Sequence, residues 1–413
     1  MSKPSVTIIG AGIVGLATAC VLVERGSSVT IIDREGPAAG ASQGNAGGIA
    51  WTDVAPLASP GKWKDALKWM MDPLGPLTVR PAYALKIMPW MLRFMAACSK
   101  GQVARSTVAL AALNGGALPS WERVWRLTGT HNQVRRNGCL EIFDNQAKLD
   151  QYRAGWAEQR DYGIEVQEMS GDEIRDIEPE LTPNIVGGGY LPGWAQMDDP
   201  KKLCLSLADW LVAQGVTFEV ASVEGVQAIA EGAEIRFADG SSRYCEKLVI
   251  ACGAWSKKLT AQLGDAIPLD TERGYNITVP DPGVKVSNFI MLPGHGFVLS
   301  PLEIGLRIGG AVEFGGLDLP PNWKRIDAMI AKAKTIYPKL DASVGKRWMG
   351  FRPSLPDSLP VIGKSSASEH ILYGFGHAHH GLTESAVTGD MLAAMIYGET
   401  PVVDPEPFRA TRF

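Results

Sequence analysis

The spacing of apolar residues changes twice within the first part of the chain, and the change sets the reading of the N-terminus. VTII is a compact β-type run, glycines interrupt it, the segment from about Gly12 to Gly26 has helix length, and VTII recurs before Asp33. That order predicts strand, turn, helix and strand. Residues 105–163 read as helical, with loops at 114–119 and 135–138. In IEVQEMSGDEIRDIEPEL the pattern gives a short strand, Ser170 as a cap facing Glu173, and a brief helix stopped by Pro179. KKLCLSLADWLVAQG is an amphipathic helix followed by strands in VTFEV, VEGVQAI and AEIRFADG. KLVIACGAWSKKLTAQLG supplies a further strand, Gly253 and a helix. Residues 269–315 alternate like sheet strands, a helix spans 322–340, and the chain closes on a strand, a glycine-rich turn and a long helix.

This succession predicts a discontinuous first domain from 1–60, 201–268 and 345–413. The remainder, 61–200 and 269–344, forms a second α+β unit with a mixed or antiparallel sheet and inserted helices. Within it, residues 61–98 stand apart. Trp63, Ala66, Leu67 and Met70 share one helical face, and prolines cut the remainder into short pieces. A basic amphipathic helix of this kind suits peripheral contact with a membrane. Packing over a cavity is the preferred alternative.

Within the first βαβ unit, Gly10, Gly12 and Gly15 form G-x-G-x-x-G. Gly10 permits the tight turn, Gly12 lets backbone approach a pyrophosphate at the helix N-terminus, and Gly15 lets helix and strand pack closely. Asp33 ends the second strand, where its carboxylate can accept ribose hydroxyls. The glycine and alanine run from Gly36 to Ala50 reads as a backbone-lined surface for a flat ligand.

Composition narrows the classes. The chain has 413 residues, 46% hydrophobic, which is enough for two cored domains, and its net charge of −4 gives no attraction to nucleic acid. Its six cysteines make no CxxC pair and read as buried thiols of a reducing, cytoplasmic compartment or its membrane face. No apolar run is long enough to span a bilayer. His377, His379 and His380 are nearly adjacent with no ligand-spaced carboxylate or cysteine beside them, so no metal is expected.

Taken together, VTIIGAGIVGLATACVL with Asp33, GASQGNAGG, LVIACGAWS, RIGG, GFRPSLPDSLPVIG and GFGHAHHGLTESAVTG resemble the D-amino acid oxidase family of FAD-dependent oxidoreductases across nearly the whole chain. NAGG, PWMLRF and RGY are closest in pattern to the bacterial D-amino acid dehydrogenase small subunit. The resemblance implies a Rossmann-like FAD domain of glutathione-reductase type and a substrate domain. It implies FAD held without a covalent bond by Gly10, Gly12, Ile13, Val14, Gly15, Asp33, Arg34, Ala41, Ser42, Asn45, Ala46, Gly47 and Gly48. Further contacts fall to Val223, Cys252, Gly253, Trp255, Gly350, Arg352, Gly376, His377, His380, Gly381, Leu382 and Thr383.

For the chemistry, Arg352 is the expected clamp on a substrate carboxylate, because its planar fork donates in pairs. Tyr275 supplies a second hydroxyl contact or closes the cavity, His295 and Phe297 form a wall, and His379 or His380 faces the substrate. The implied reaction is oxidative deamination of a D-amino acid, with D-proline or a hydroxyproline-like amino acid among the candidates. Electrons pass to quinone or another carrier. The alternatives are an oxygen-using oxidase, a 2-hydroxy acid dehydrogenase and a non-catalytic flavin-bearing subunit of a larger assembly.

Overall fold

The computed structural model describes residues 3–59, Gly75 and 77–413. The amphipathic helix expected around Trp63 to Met70 lies outside the described residues.

The N-terminal reading translates directly into β1 (Ser5–Ile9), α1 (Ile13–Glu24) and β2 (Ser28–Asp33). β1 lies between β2 and Lys247–Ile250 in a six-stranded sheet that continues through Thr217–Val220 on one side and Ile371–Phe375 and Val361–Lys364 on the other. All pairings are parallel except that of the last two strands. The chain leaves β1 toward one side of the sheet and returns on the other, so a crevice opens at the C-terminal end of β1. α1 is apolar on every face because it is covered on every face: the sheet lies beneath it, and helices Gly381–Ile396, Pro200–Ala213 and Lys100–Thr128 pack around it. Gly389 brings the C-terminal helix so close that a Cβ there would lie 3.0 Å from the Thr18 Cα.

A second sheet runs in the order Lys346–Ser354, Asp270–Val279, Gly305–Phe314, Phe297–Leu302, Phe289–Leu292, Cys139–Phe143, Gly187–Leu191 and Gln167–Ser170, with Leu77–Val79 added beside Gly305–Phe314. Most of its ladders are antiparallel, as short hairpin spacing requires. Helix Lys324–Ile336 packs onto its central strands. Lys346–Ser354 is an edge of this sheet, although its sequence groups it with the C-terminal part of the first domain. Helix Lys100–Thr128, grouped by sequence with the second unit, packs against α1 and the C-terminal helix.

Two expectations are corrected. No loop interrupts 114–119: one helix runs from Lys100 to Thr128, because Leu110, Leu113, Ala117, Trp121 and Val124 keep a continuous buried stripe. Pro119 lies inside this helix without ending it. Likewise PWMLRF is not a chain of short pieces but part of helix Ala84–Ala97, which runs through Pro89. That helix buries Ile87, Trp90 and Phe94 and leaves Leu85, Met88, Leu92 and Met95 exposed. No described helix is long and apolar enough to cross a membrane.

Candidate active site

A cavity of about 1330 Å³ opens between the C-terminal ends of the first sheet and the face of the second. It exceeds the roughly 300–1,000 Å³ of ordinary ligand pockets and has room for a large cofactor with a small substrate.

Its nucleotide end is built by β1, α1 and β2. Gly10 turns the chain with φ +114°, and a Cβ there would lie 2.4 Å from the Ala251 carbonyl oxygen. Gly15 permits the same closeness within the unit, since its Cβ would lie 2.0 Å from the Gly10 carbonyl oxygen. The N-terminus of α1 has Gly12 as its cap and no acidic residue in its first turn, so its positive end faces the crevice unneutralised. The Asp33 carboxylate accepts from the backbone N–H groups of Ala11 (2.8 Å), Glu35 (2.9 Å) and Gly36 (3.0 Å), which fixes it at the crevice mouth. Arg34 stacks over the Trp255 ring at 4.0 Å, and Val223, Cys252 and Gly253 complete this end.

The middle of the cavity is the 41–48 loop, held in place from the second sheet. Ser42 accepts from the Ile13 N–H at 2.9 Å. Asn276 donates to the Gly44 carbonyl at 2.7 Å, Arg307 donates to that of Asn45, and Ser300 donates to that of Ala46 at 2.5 Å. Gly44 packs so tightly on Trp348 that a Cβ would lie 2.4 Å from the indole. The loop therefore presents backbone to the cavity as a fixed surface. From the opposite side comes the start of the C-terminal helix, where the Thr383 hydroxyl accepts from the Ala50 N–H at 2.9 Å.

At the far end stands Arg352, on the edge strand. It fits because Gly274 across the ladder has no side chain: a Cβ there would lie 2.5 Å from the guanidinium. One nitrogen donates to the Ala311 carbonyl at 3.0 Å, and no carboxylate among the described residues pairs with it. Glu272, the nearest acid acting on it, is engaged by the Ser354 hydroxyl at 2.5 Å. Burial pulls the Arg352 pKa down and Glu272 offsets this in part. A cation with open donors thus faces the cavity.

The family model described as FAD dependent oxidoreductase matches residues 5–395. The chain belongs to this family of FAD-dependent oxidoreductases. It is 35% identical over 99% of its length to a D-amino-acid oxidase of Bradyrhizobium diazoefficiens, 98% of which is covered. It is 30% identical to a D-amino acid dehydrogenase of Vibrio vulnificus, over 95% of each chain. Among solved structures it superposes on an iminodiacetate oxidase from a Chelativorans species with TM-score 0.75 at 22% identity, over 98% of both chains. It also superposes on a glycine oxidase of Geobacillus kaustophilus with TM-score 0.74 at 21% identity over the full length of both. The residues present fit the family's cofactor. Gly10 and Gly15 form a cradle that a Cβ would fill, a helix N-terminus suits a pyrophosphate, and the fixed backbone surface of the 41–48 loop suits a flavin.

The structure gathers most of the sequence-derived candidates around the cavity and separates a few from it. Ile13, Val14, Ala41, Gly47, Gly48, Phe297, Gly350, His377, His379, Gly381 and Leu382 line it; Gly15, Gly376, His380 and Thr383 are not among its lining residues, so of the histidine pair it is His379 that faces the cavity. Tyr275 borders it, but its hydroxyl donates to Glu313 at 2.8 Å and accepts from the Asn322 N–H at 3.0 Å, so no substrate hydroxyl contact comes from it. His295 is not a cavity residue, because it sits in the turn before its strand and pairs with Asp144 at 2.8 Å. His377 is held by Thr388 at 2.9 Å, and burial pushes it down to about 3, which keeps it neutral.

Sequence reasoning missed Asp53, which the fold places beside His379 (3.7 Å) and His380 (3.3 Å). Burial disfavours the Asp53 charge, but hydrogen bonds from both histidines outweigh it and hold the carboxyl well below its usual range. The three groups could hold a cation, but the two Nε2 atoms are 2.6 Å apart, a hydrogen bond. Two nitrogens on one tetrahedral zinc with bonds of about 2.0–2.1 Å would stand roughly 3.3 Å apart.

Behind the pair, Glu384 is 1% exposed, with neither oxygen hydrogen-bonded, 3.8 Å from His380 Nδ1. Burial pushes its carboxyl from 4.5 up to about 8, with the His380 charge pulling it down and Asp53 adding to the rise. An acid that keeps its proton in the fold but ionises normally when unfolded opposes folding increasingly between those two values. Stability should therefore fall as pH rises from about 4.5 to about 8. Thermal unfolding of the Glu384→Gln protein should show a smaller loss than the wild type over that window, by a few kcal/mol at most. Equal losses in both would refute the assignment.

Proposed function

We propose that the chain oxidises a D-amino acid to its imine, which water hydrolyses to a 2-oxo acid and ammonia. For a cyclic amine such as D-proline or a hydroxyproline-like amino acid, the product is a stable cyclic imine. The observation that carries this reading is the Arg352 guanidinium, facing the cavity with open donors and no carboxylate partner among the described residues.

Bound FAD supplies a two-electron acceptor for the α-hydrogen. Arg352 takes the α-carboxylate in a paired hydrogen bond and so fixes the α-carbon relative to the 41–48 loop. Phe297 and Met291 line the cavity and exclude water. The N-terminus of the C-terminal helix at Gly381 directs its dipole into the cavity, which favours negative charge there. The D configuration is supported by the names of the relatives at 35% and 30% identity.

Electrons then pass to a quinone or another carrier. The exposed stripe of Leu85, Met88, Leu92 and Met95, flanked by Lys86 and Arg93, supports contact with a membrane face where quinones reside. Oxygen is the second reading, favoured by the relative named as an oxidase. Reoxidation separates them: after reduction by a D-amino acid without air, the flavin colour should return rapidly with a soluble quinone and slowly with oxygen. Rapid return with oxygen alone would make the enzyme an oxidase.

A further inference from the structure

Beyond His379, part of the cavity wall is formed by Thr52, Asp53, Glu141, Tyr152, Gln159 and Trp194. Glu141 is unusual there. It sits in the middle of Cys139–Phe143, a strand buried along its whole length, and is itself 1% exposed. Its partners are neutral donors, the Trp156 indole N–H at 2.6 Å and the Tyr152 hydroxyl at 3.2 Å. No cation among the described residues acts on it, and Asp53 adds a second negative charge nearby. Two further acceptors on this wall are buried without a donor among the described residues, the Thr52 hydroxyl oxygen and the Gln159 side-chain oxygen. Thr52 is 1% exposed, and the Gln159 amide nitrogen is already committed to the Thr52 carbonyl at 3.1 Å.

A buried carboxylate with only neutral donors, beside orphaned acceptors, is unfavourable unless a cation completes it. The charge of Asp53 is already matched by His380, which leaves Glu141 as the carboxylate of this wall without a cation among the described residues. Arg352, His379, Asp53 and Glu141 all line the same cavity, so the clamp and this wall lie within one continuous site.

We propose that this wall is the subsite for the substrate side chain and that it takes a hydrogen-bond-donating cation, the ammonium or guanidinium of a basic D-amino acid, with Glu141 as its counter-charge. The inference rests on the reading of Arg352 as the carboxylate clamp. Such a substrate then meets charge of opposite sign at each end, and the rings of Tyr152 and Trp194 supply apolar cover for its methylene stem. An acidic side chain is repelled.

The groups facing Glu141 also set a pH dependence. The neighbouring strands offer only Met291 and Gly189, helix Gln146–Asp161 offers Tyr152 and Trp156, its own strand offers Cys139, and the loop offers Asp53. Burial pushes the carboxyl up to about 7, with Trp156 lowering it and Asp53 raising it. Ionisation therefore brings kcat/KM for a basic substrate up as pH passes 7, while a neutral one lacks that rise.

The test uses the flavin-loaded enzyme with D-lysine, D-arginine, D-norleucine and D-glutamate, in the wild type and in Glu141→Gln and Gln159→Leu. The wild type should favour D-lysine over D-norleucine by about 100-fold in kcat/KM, and Glu141→Gln should collapse that ratio to within a few-fold of one. Gln159→Leu, which retains the charge, should lower the ratio partially. Retention of the flavin spectrum reports on folding of each variant. A wild type that takes D-norleucine as well as D-lysine, or a ratio untouched by Glu141→Gln, overturns the subsite and leaves the reaction standing. Failure of every D-amino acid to reduce the flavin overturns the clamp, and the subsite with it.

Discussion

Replacing Arg352 by Met should lower kcat/KM for D-amino acids by about 10²–10³-fold, chiefly through KM, while the protein remains yellow. The loss follows from what the guanidinium does not do. Its hydrogen bond among the described residues goes to the Ala311 carbonyl, so its remaining donors are open to a ligand, and removing them costs the fold little. Methionine keeps much of the stem, which matters because Gly274 leaves a gap that only a long side chain fills. Arg352→Lys should fall between, since an ammonium keeps the charge and loses the planar pair of donors. Steady-state kinetics against flavin content separate the outcomes. Loss of flavin with unchanged kinetics per flavin would make Arg352 a cofactor support instead.

Gly10→Ala should destroy the holoenzyme. A Cβ at that position would enter the Ala251 backbone at 2.4 Å, at a φ of +114° that side chains rarely adopt. Neither atom can move without parting β1 from Lys247–Ile250, so the change should cost roughly 3 kcal/mol or more and leave little soluble yellow protein. Gly36→Ala is the control. Its φ is +102° with nothing within 4 Å of the added methyl, so it carries only the conformational cost of about 1 kcal/mol. Equal thermal stability and flavin content in the two variants would contradict the claimed close approach.

The difference between legible and illegible parts follows sequence distance. The nucleotide end is local: Gly10, Gly12, Gly15 and Asp33 lie in one βαβ unit, and their roles follow from its geometry. The 41–48 loop was visible as a glycine run, but Asn276, Arg307 and Ser300, which fix it, come from the second sheet. Asp53 escaped notice because only the fold brings it to His379 and His380. Glu141 left a signal, a single acid at the centre of an otherwise apolar run, and that signal was available in GCLEIF. The Tyr275 hydroxyl could not be aimed from alternation, because the register shifts between Arg273 and Tyr275 and face assignments slip there. At 114–119 the glycines and proline read as punctuation, and the buried stripe of the helix overrode them.

The most direct test of the central claim is anaerobic mixing of the purified holoenzyme with paired D- and L-amino acids while the visible flavin absorbance is followed. Rapid bleaching by D-enantiomers, abolished in Arg352→Met, is the result this account predicts. Bleaching by 2-hydroxy acids or L-amino acids but not by any D-amino acid would contradict it.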